Sequence, residues 1–210
     1  MDVVFPPAVR AVVFDVGETL VDETRAWAVL ADQAGVTRLT LFAALGALIE
    51  RGRDHREVWD LLGVERPGGG GRIEAADFYP DALACLKAAR GAGYRVGVAG
   101  NQPAAAEAAL AEMGLPVDLI ASSARWGVEK PSPAFFACIC AELGLVPAQV
   151  AYVGDRVDYD VLPAKAAGMF AVFVRRGPWG YLHAHHTDAR RADARIESLS
   201  ELTAALERGR

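Results

Sequence analysis

The stretch FDVGETL (14–20) closes an apolar run on two acids, Asp15 and Glu18. Two residues after Asp15, where a second acid would complete a catalytic pair, stands Gly17. Other apolar runs also end on polar residues. VGVAGN ends on Gly100 and Asn101, and VAYVGD ends on Asp155 with Asp158 and Asp160 just beyond. GVEKPSP contributes Lys130 after a further run. Several acids and one lysine on a common rim suit a hard divalent cation with oxygen ligands, next to a phosphate that the ammonium neutralises. A helix expected to begin near Pro103 would add backbone N–H groups and a positive dipole end, a seat for an anion.

For these residues to meet, the chain must form a sheet that gathers strand ends. Five β-rich apolar runs alternate with helical stretches: RAVVFDV (10–16), YRVGVAG (94–100), VDLIASS (117–123), VAYVGD (150–155) and MFAVFV (169–174). That alternation predicts a doubly wound, Rossmann-like parallel α/β sheet, whose ligands bind beyond the carboxyl ends of the strands. Helix punctuation supports it. Ser132 is the expected N-cap, Pro133 the first helical residue and Gly144 the terminator of one helix, and Pro163 fits only the first turn of another. The tail RIESLSELTAAL reads as a short edge segment and a closing helix.

Residues 21–78 interrupt the alternation with three amphipathic helical stretches, followed by the flexible connection RPGGGGR. The expected organisation is a core of residues 1–20 and 79–210, with a small helical cap of residues 21–78 inserted after the first strand. Trp27, Leu30, Phe42, Leu45, Leu48 and Trp59 recur at helical spacing and are expected to pack the cap's own core.

These motifs, in this order, resemble those of the haloacid dehalogenase (HAD) superfamily, whose members are mostly phosphatases. FDVGETL resembles its first motif, VGVAGN stands in the place of the second, EKPSPAFF matches the third and VGDRVDYD the fourth. The resemblance implies a nucleophilic Asp15, a charge-neutralising Lys130 and phosphate contacts at Gly100 and Asn101. It also implies Mg²⁺ held by Asp15, the main-chain carbonyl of Gly17, Asp155 and Asp160. The implied activity is hydrolysis of a small phosphorylated metabolite through an aspartyl-phosphate.

Two positions depart from the pattern. Gly17 replaces the Asp that protonates the leaving oxygen, and Gly100 replaces a hydroxyl residue. Losing a general acid–base costs roughly 10²- to 10⁴-fold, which leaves a usable enzyme for good leaving groups such as aryl or acyl phosphates. Glu18 and Asp22 are near enough to be considered as replacements, but both read as solvated turn acids. Two other readings compete. A 2-haloacid dehalogenase would use the same aspartate on carbon without a metal, and a non-catalytic binding module would have no need of either missing side chain.

The remaining signals are weaker. Asp158 also suits an N-cap. His183, His185 and His186 in GPWGYLHAHHT match no closed zinc spacing, and an exposed loop is expected there. The odd cysteine number (Cys85, Cys138 and Cys140) reads as buried thiols in a reducing compartment. The start MDVVFPPAVR lacks the pattern of a signal peptide, and no run reaches the ~18 apolar residues of a membrane helix. A cytoplasmic location is the expectation. A net charge of −5 without a basic block predicts neither a nucleic-acid nor a membrane partner. Oligomeric state is open at this stage.

Overall fold

The computed structural model describes residues 3–208. Strand β1 (Ala11–Phe14) leads into helices α1 (Thr24–Gln33), α2 (Arg38–Glu50) and α3 (Val58–Leu62). Helix α4 (Ala82–Gly91) returns the chain to β2 (Arg95–Gly100). Then follow α5 (Ala104–Glu112), β3 (Leu119–Ser122), the short α6 (Ser123–Trp126), α7 (Pro133–Leu143) and β4 (Val150–Gly154). A π-helical turn (Val157–Val161) and α8 (Leu162–Ala166) connect β4 to β5 (Phe170–Val174). The chain closes with α9 (Gly177–His183), β6 (Ala194–Ile196) and α10 (Leu199–Arg208).

All six strands are parallel, in the order β3-β2-β1-β4-β5-β6. The winding reverses between β1 and β4, so a crevice opens at the carboxyl ends of those two strands. Asp15 and Asp155 are the residues directly after them. The expected fold class holds, and β6 is the edge segment anticipated in the tail.

The strands are buried on both faces, which is why they read as continuous apolar runs. Val12 and Phe14 face one way, packing with Leu86 of α4 and Leu199 and Leu202 of α10. Ala11 and Val13 face the other way, toward Phe135, Phe136 and Ile139 of α7. Helix α7 begins and ends as its residues dictate: the Ser132 hydroxyl accepts from Ala134 N–H, Pro133 opens the first turn and Gly144 closes it in the left-handed conformation.

The helices between β1 and β2 gather a separate cluster of Leu41, Leu45, Leu48, Ile49, Val58 and Trp59. Phe42 lies outside it, 37 % exposed, and Leu41 points inward in its place. One residue of helix is a rotation of ~100°, enough to exchange the two faces. Trp179 of α9 joins the same cluster, so this helix ties the strand ends to the inserted helices. The expectation of an exposed loop over GPWGYLHAHHT is therefore corrected. Residues 177–183 are helical, Trp179 and His183 are buried, and His183 Nδ1 accepts from Val157 N–H at 3.1 Å. Indole burial supplies the driving force that the loop reading ignored. Of the cysteines, Cys85 is buried, while Cys138 and Cys140 are only partly so. Among the described residues no single helix is long and apolar enough to cross a membrane.

Candidate active site

Asp15 leaves β1 with its backbone still in the sheet, its N–H donating to Val153 C=O at 2.8 Å. Lys130 arrives from the loop between α6 and α7 and is 3 % exposed. Its ammonium donates to Asp15 Oδ1 at 2.7 Å and to Asp160 Oδ1 at 2.6 Å. The main chain of Lys130 is held by both ends of one amide: Asn101 Oδ1 accepts from Lys130 N–H and Asn101 Nδ2 donates to Lys130 C=O. Asn101 is thus a positioning residue for the lysine, a use of its side chain that spacing did not reveal.

Asp155 and Asp160 reach the same point from the far side of the switch. Ligand-capable oxygens of Asp15, Asp155 and Asp160 all lie within 4.8 Å of one another. Asp160 sits on the π-helical turn, where Arg156 N–H donates to its Oδ2 at 2.9 Å. Asp155 Oδ2, by contrast, is buried with no hydrogen-bond partner. Leaving such an acceptor unmet costs on the order of 1–3 kcal/mol. Burial, with repulsion from Asp160 and Asp15, holds the Asp155 carboxyl well above the usual carboxylate range. Burial likewise raises Asp160 to about 6, against the pull of Lys130. Burial disfavours the Lys130 ammonium, but Asp15 and Asp160 override it and keep the amine well above its ordinary value. Asp15 and Asp160 share one ammonium, and Asp155 stands beside them with one oxygen unmet. The donor set is all oxygen and net negative, which fits a hard divalent cation.

The residues singled out in the sequence converge, with some reassigned. Asp15, Gly17, Asn101, Lys130 and Asp155 line a cleft of about 490 Å³. The ammonium–carboxylate links therefore leave room above the nucleophile. Trp27, Trp59, Trp179 and Tyr159 line the same cleft. Gly100 lies against Asp15: a Cβ there would stand 2.5 Å from Asp15 Oδ1. Asp158 is no N-cap, since it pairs with Arg156 at 2.6 Å.

Glu18 is not a solvated acid. It is 5 % exposed, accepts from Tyr79 Oη–H at 2.6 Å and from Glu23 N–H at 3.0 Å, and burial raises its pKa. Asp22 accepts from the N–H of Thr24, the first residue of α1, at 2.8 Å. The carboxyl that stands against Gly17 belongs to Glu23, which the motif reading passed over. Burial, then repulsion from Glu18 and Asp15, raises it to about 7. Its signal in the sequence was slight: the last acid before an apolar helical run, one residue beyond Asp22.

A model described as haloacid dehalogenase-like hydrolase matches residues 9–168. A glyceraldehyde 3-phosphate phosphatase of Methanopyrus kandleri is 33 % identical over 113 residues, covering 52 % of this chain and 48 % of that protein. A phosphoglycolate phosphatase of Rhodospirillum rubrum is 36 % identical over 108 residues, covering 50 % and 44 %. The chain thus spans less than half the length of these curated relatives. Among solved structures, a HAD phosphatase from Thermococcus onnurineus superposes with a TM-score of 0.62 at 24 % identity, over 94 % of this chain and 98 % of that one. A 2-haloacid dehalogenase from Pseudomonas syringae gives 0.59 at 20 % identity, over 96 % and 100 %. Likeness at these identities concerns the fold alone.

Proposed function

The chain belongs to the haloacid dehalogenase-like hydrolases, and from that premise we propose that it is a phosphatase acting on a small phosphorylated metabolite. The observation that carries the reading is the buried group of Asp15, Asp155 and Asp160 beside Lys130, with Asp15, Asp155 and Lys130 lining an open cleft. A haloacid dehalogenase has no need of an unpaired buried acceptor such as Asp155 Oδ2, whereas a cation-dependent phosphatase does. The names of the curated relatives, which are phosphatases of small metabolites, support the same choice.

In this reading Asp15 Oδ2 attacks phosphorus, because Oδ1 is held by Lys130. The product is an aspartyl-phosphate, which water then hydrolyses. Lys130 offsets charge on the phosphoryl oxygens, and the Gly100–Asn101 turn meets the phosphate at the start of α5. Mg²⁺, held by Asp15 and Asp155 with Asp160 alongside, would supply charge neutralisation of the transferring group. Asp160 has both oxygens engaged by Lys130 and Arg156, so its larger part is to aim the ammonium.

Phosphate release from a panel of metabolite esters with Mg²⁺ tests the proposal. Asp15→Asn should lower the rate by at least ~10³-fold while the melting temperature stays within a few degrees of the parent. Equal rates for the two proteins would remove Asp15 from the chemistry. Halide release from 2-haloacids in the presence of a chelator would replace the phosphatase reading with the dehalogenase one.

A further inference from the structure

We propose that Glu23 is the proton carrier of this site, brought from the start of α1 into the space that Gly17 leaves open. The proposal rests on the phosphatase reading above and deepens it.

The geometry is that of substitution in space. A Cβ built on Gly17 would stand 2.5 Å from Glu23 Oε1 and 2.7 Å from Glu23 Cδ. The carboxyl of Glu23 therefore occupies the place where a side chain at position 17 would begin. It lines the same cleft as Asp15, Lys130 and Asp155. The side chains of Trp27 and Gln102 line the same cleft. Its backbone is pinned from both sides. Glu23 N–H donates to Glu18 Oε1, and Glu23 C=O accepts from Trp27 N–H at 2.9 Å, closing the first turn of α1. The other Glu18 oxygen is tied to Tyr79 across the second crossing of the chain between sheet and inserted helices. Glu18 is thus a positioning residue, and Asp22 is occupied by Thr24 N–H. All three acids that follow Gly17 in this segment line the cleft, and it is Glu23 whose carboxyl stands against Gly17.

The reaction balances with this residue alone. Asp15 oxygen forms a bond to phosphorus as the bond from phosphorus to the leaving oxygen breaks, and protonated Glu23 gives its proton to that oxygen. The products are an alcohol, the aspartyl-phosphate and a Glu23 carboxylate. Glu23 then takes a proton from water as the water oxygen bonds to phosphorus and the Asp15 oxygen departs. Phosphate leaves, and both side chains return to their starting states.

Leaving-group dependence tests this role. Phenyl phosphate and para-nitrophenyl phosphate have similar shapes, but only the nitrophenolate departs readily without a proton. Glu23→Gln should lose roughly 10²-fold in kcat on phenyl phosphate. On para-nitrophenyl phosphate the first step should survive as a burst of nitrophenol, with aspartyl-phosphate accumulating for capture by acid quench and mass spectrometry. Gly17→Asp combined with Glu23→Ala should recover at least ~10-fold of the loss on phenyl phosphate, since the space is vacated for a carboxyl at position 17. Equal losses on both esters with no burst would overturn the role of Glu23 while leaving the phosphatase reading intact. A parent protein that releases phosphate from neither ester nor from any metabolite of the panel would overturn both.

Discussion

Gly17 and Gly100 stand just beyond β1 and at the end of β2, neighbouring strands, and each lacks a side chain that the motif resemblance leads one to expect. The two gaps are filled differently. At Gly100 the space of a Cβ is taken by the attacking carboxylate itself, with Val16 main chain and side chain close behind. At Gly17 it is taken by the tip of a flexible side chain from another element. A substitution at Gly100 must move Asp15, which is also fixed by Lys130 and by the sheet. A substitution at Gly17 has only to swing the end of Glu23 aside. The lesson is that a missing side chain does not mean missing chemistry. What matters is which atoms have moved into its space, and whether those atoms can give way.

The comparison can be broken by experiment. Gly100→Ser should have the largest effect, a fall in kcat of at least ~10²-fold, because a nucleophile displaced by about 1 Å forfeits its alignment. Steady-state kinetics with a melting curve would check it, and a variant with parental kcat would show that Asp15 gives way without loss. Gly17→Ala should cost less, roughly 10-fold on esters with poor leaving groups, by displacing the Glu23 carboxyl. Combined with Glu23→Ala it should add little further loss, since both changes remove one interaction. Full additivity would show that Gly17 acts through something other than Glu23. The smallest effect concerns the charge that both turns crowd together. Asp155→Asn should raise the melting temperature of the metal-free protein by roughly 2–4 °C, about 1 kcal/mol, as a buried repulsion disappears. Mg²⁺ should raise the melting temperature of the parent and leave that of the variant unchanged. An equal shift in both would move the cation away from Asp155.

Much of the site was legible from strand ends. Asp15, Gly100, Asn101 and Asp155 terminate or directly follow apolar runs, and the parallel topology brings such termini to one edge. Lys130 was legible from the Ser132–Pro133–Gly144 punctuation of α7, which places it in the loop before that helix. Illegible were the choices that turn on one residue or on a distant contact. Asp22, Glu23 and Glu18 are alike in type and proximity, yet one bonds Thr24 N–H, one stands against Gly17 and one bonds Tyr79. Leu41 and Phe42 are both apolar, and helix phase alone separates the buried residue from the exposed one. Trp179 reads as a loop aromatic until the helical cluster that covers it is known.

By itself the order of residues determined the layered architecture, the winding of the sheet and the roster of acids at its edge. It could do so because apolar periodicity, capping and turn chemistry act over a few neighbouring positions. The tertiary structure decided which carboxyl fills the space beside Gly17. That choice depends on the angle at which α1 departs, which is set by Asp22 N–H on Asp77 C=O, Tyr79 N–H on Leu20 C=O and Tyr79 Oη–H on Glu18. These contacts join residues more than fifty positions apart, and no local pattern encodes the direction in which they aim a side chain.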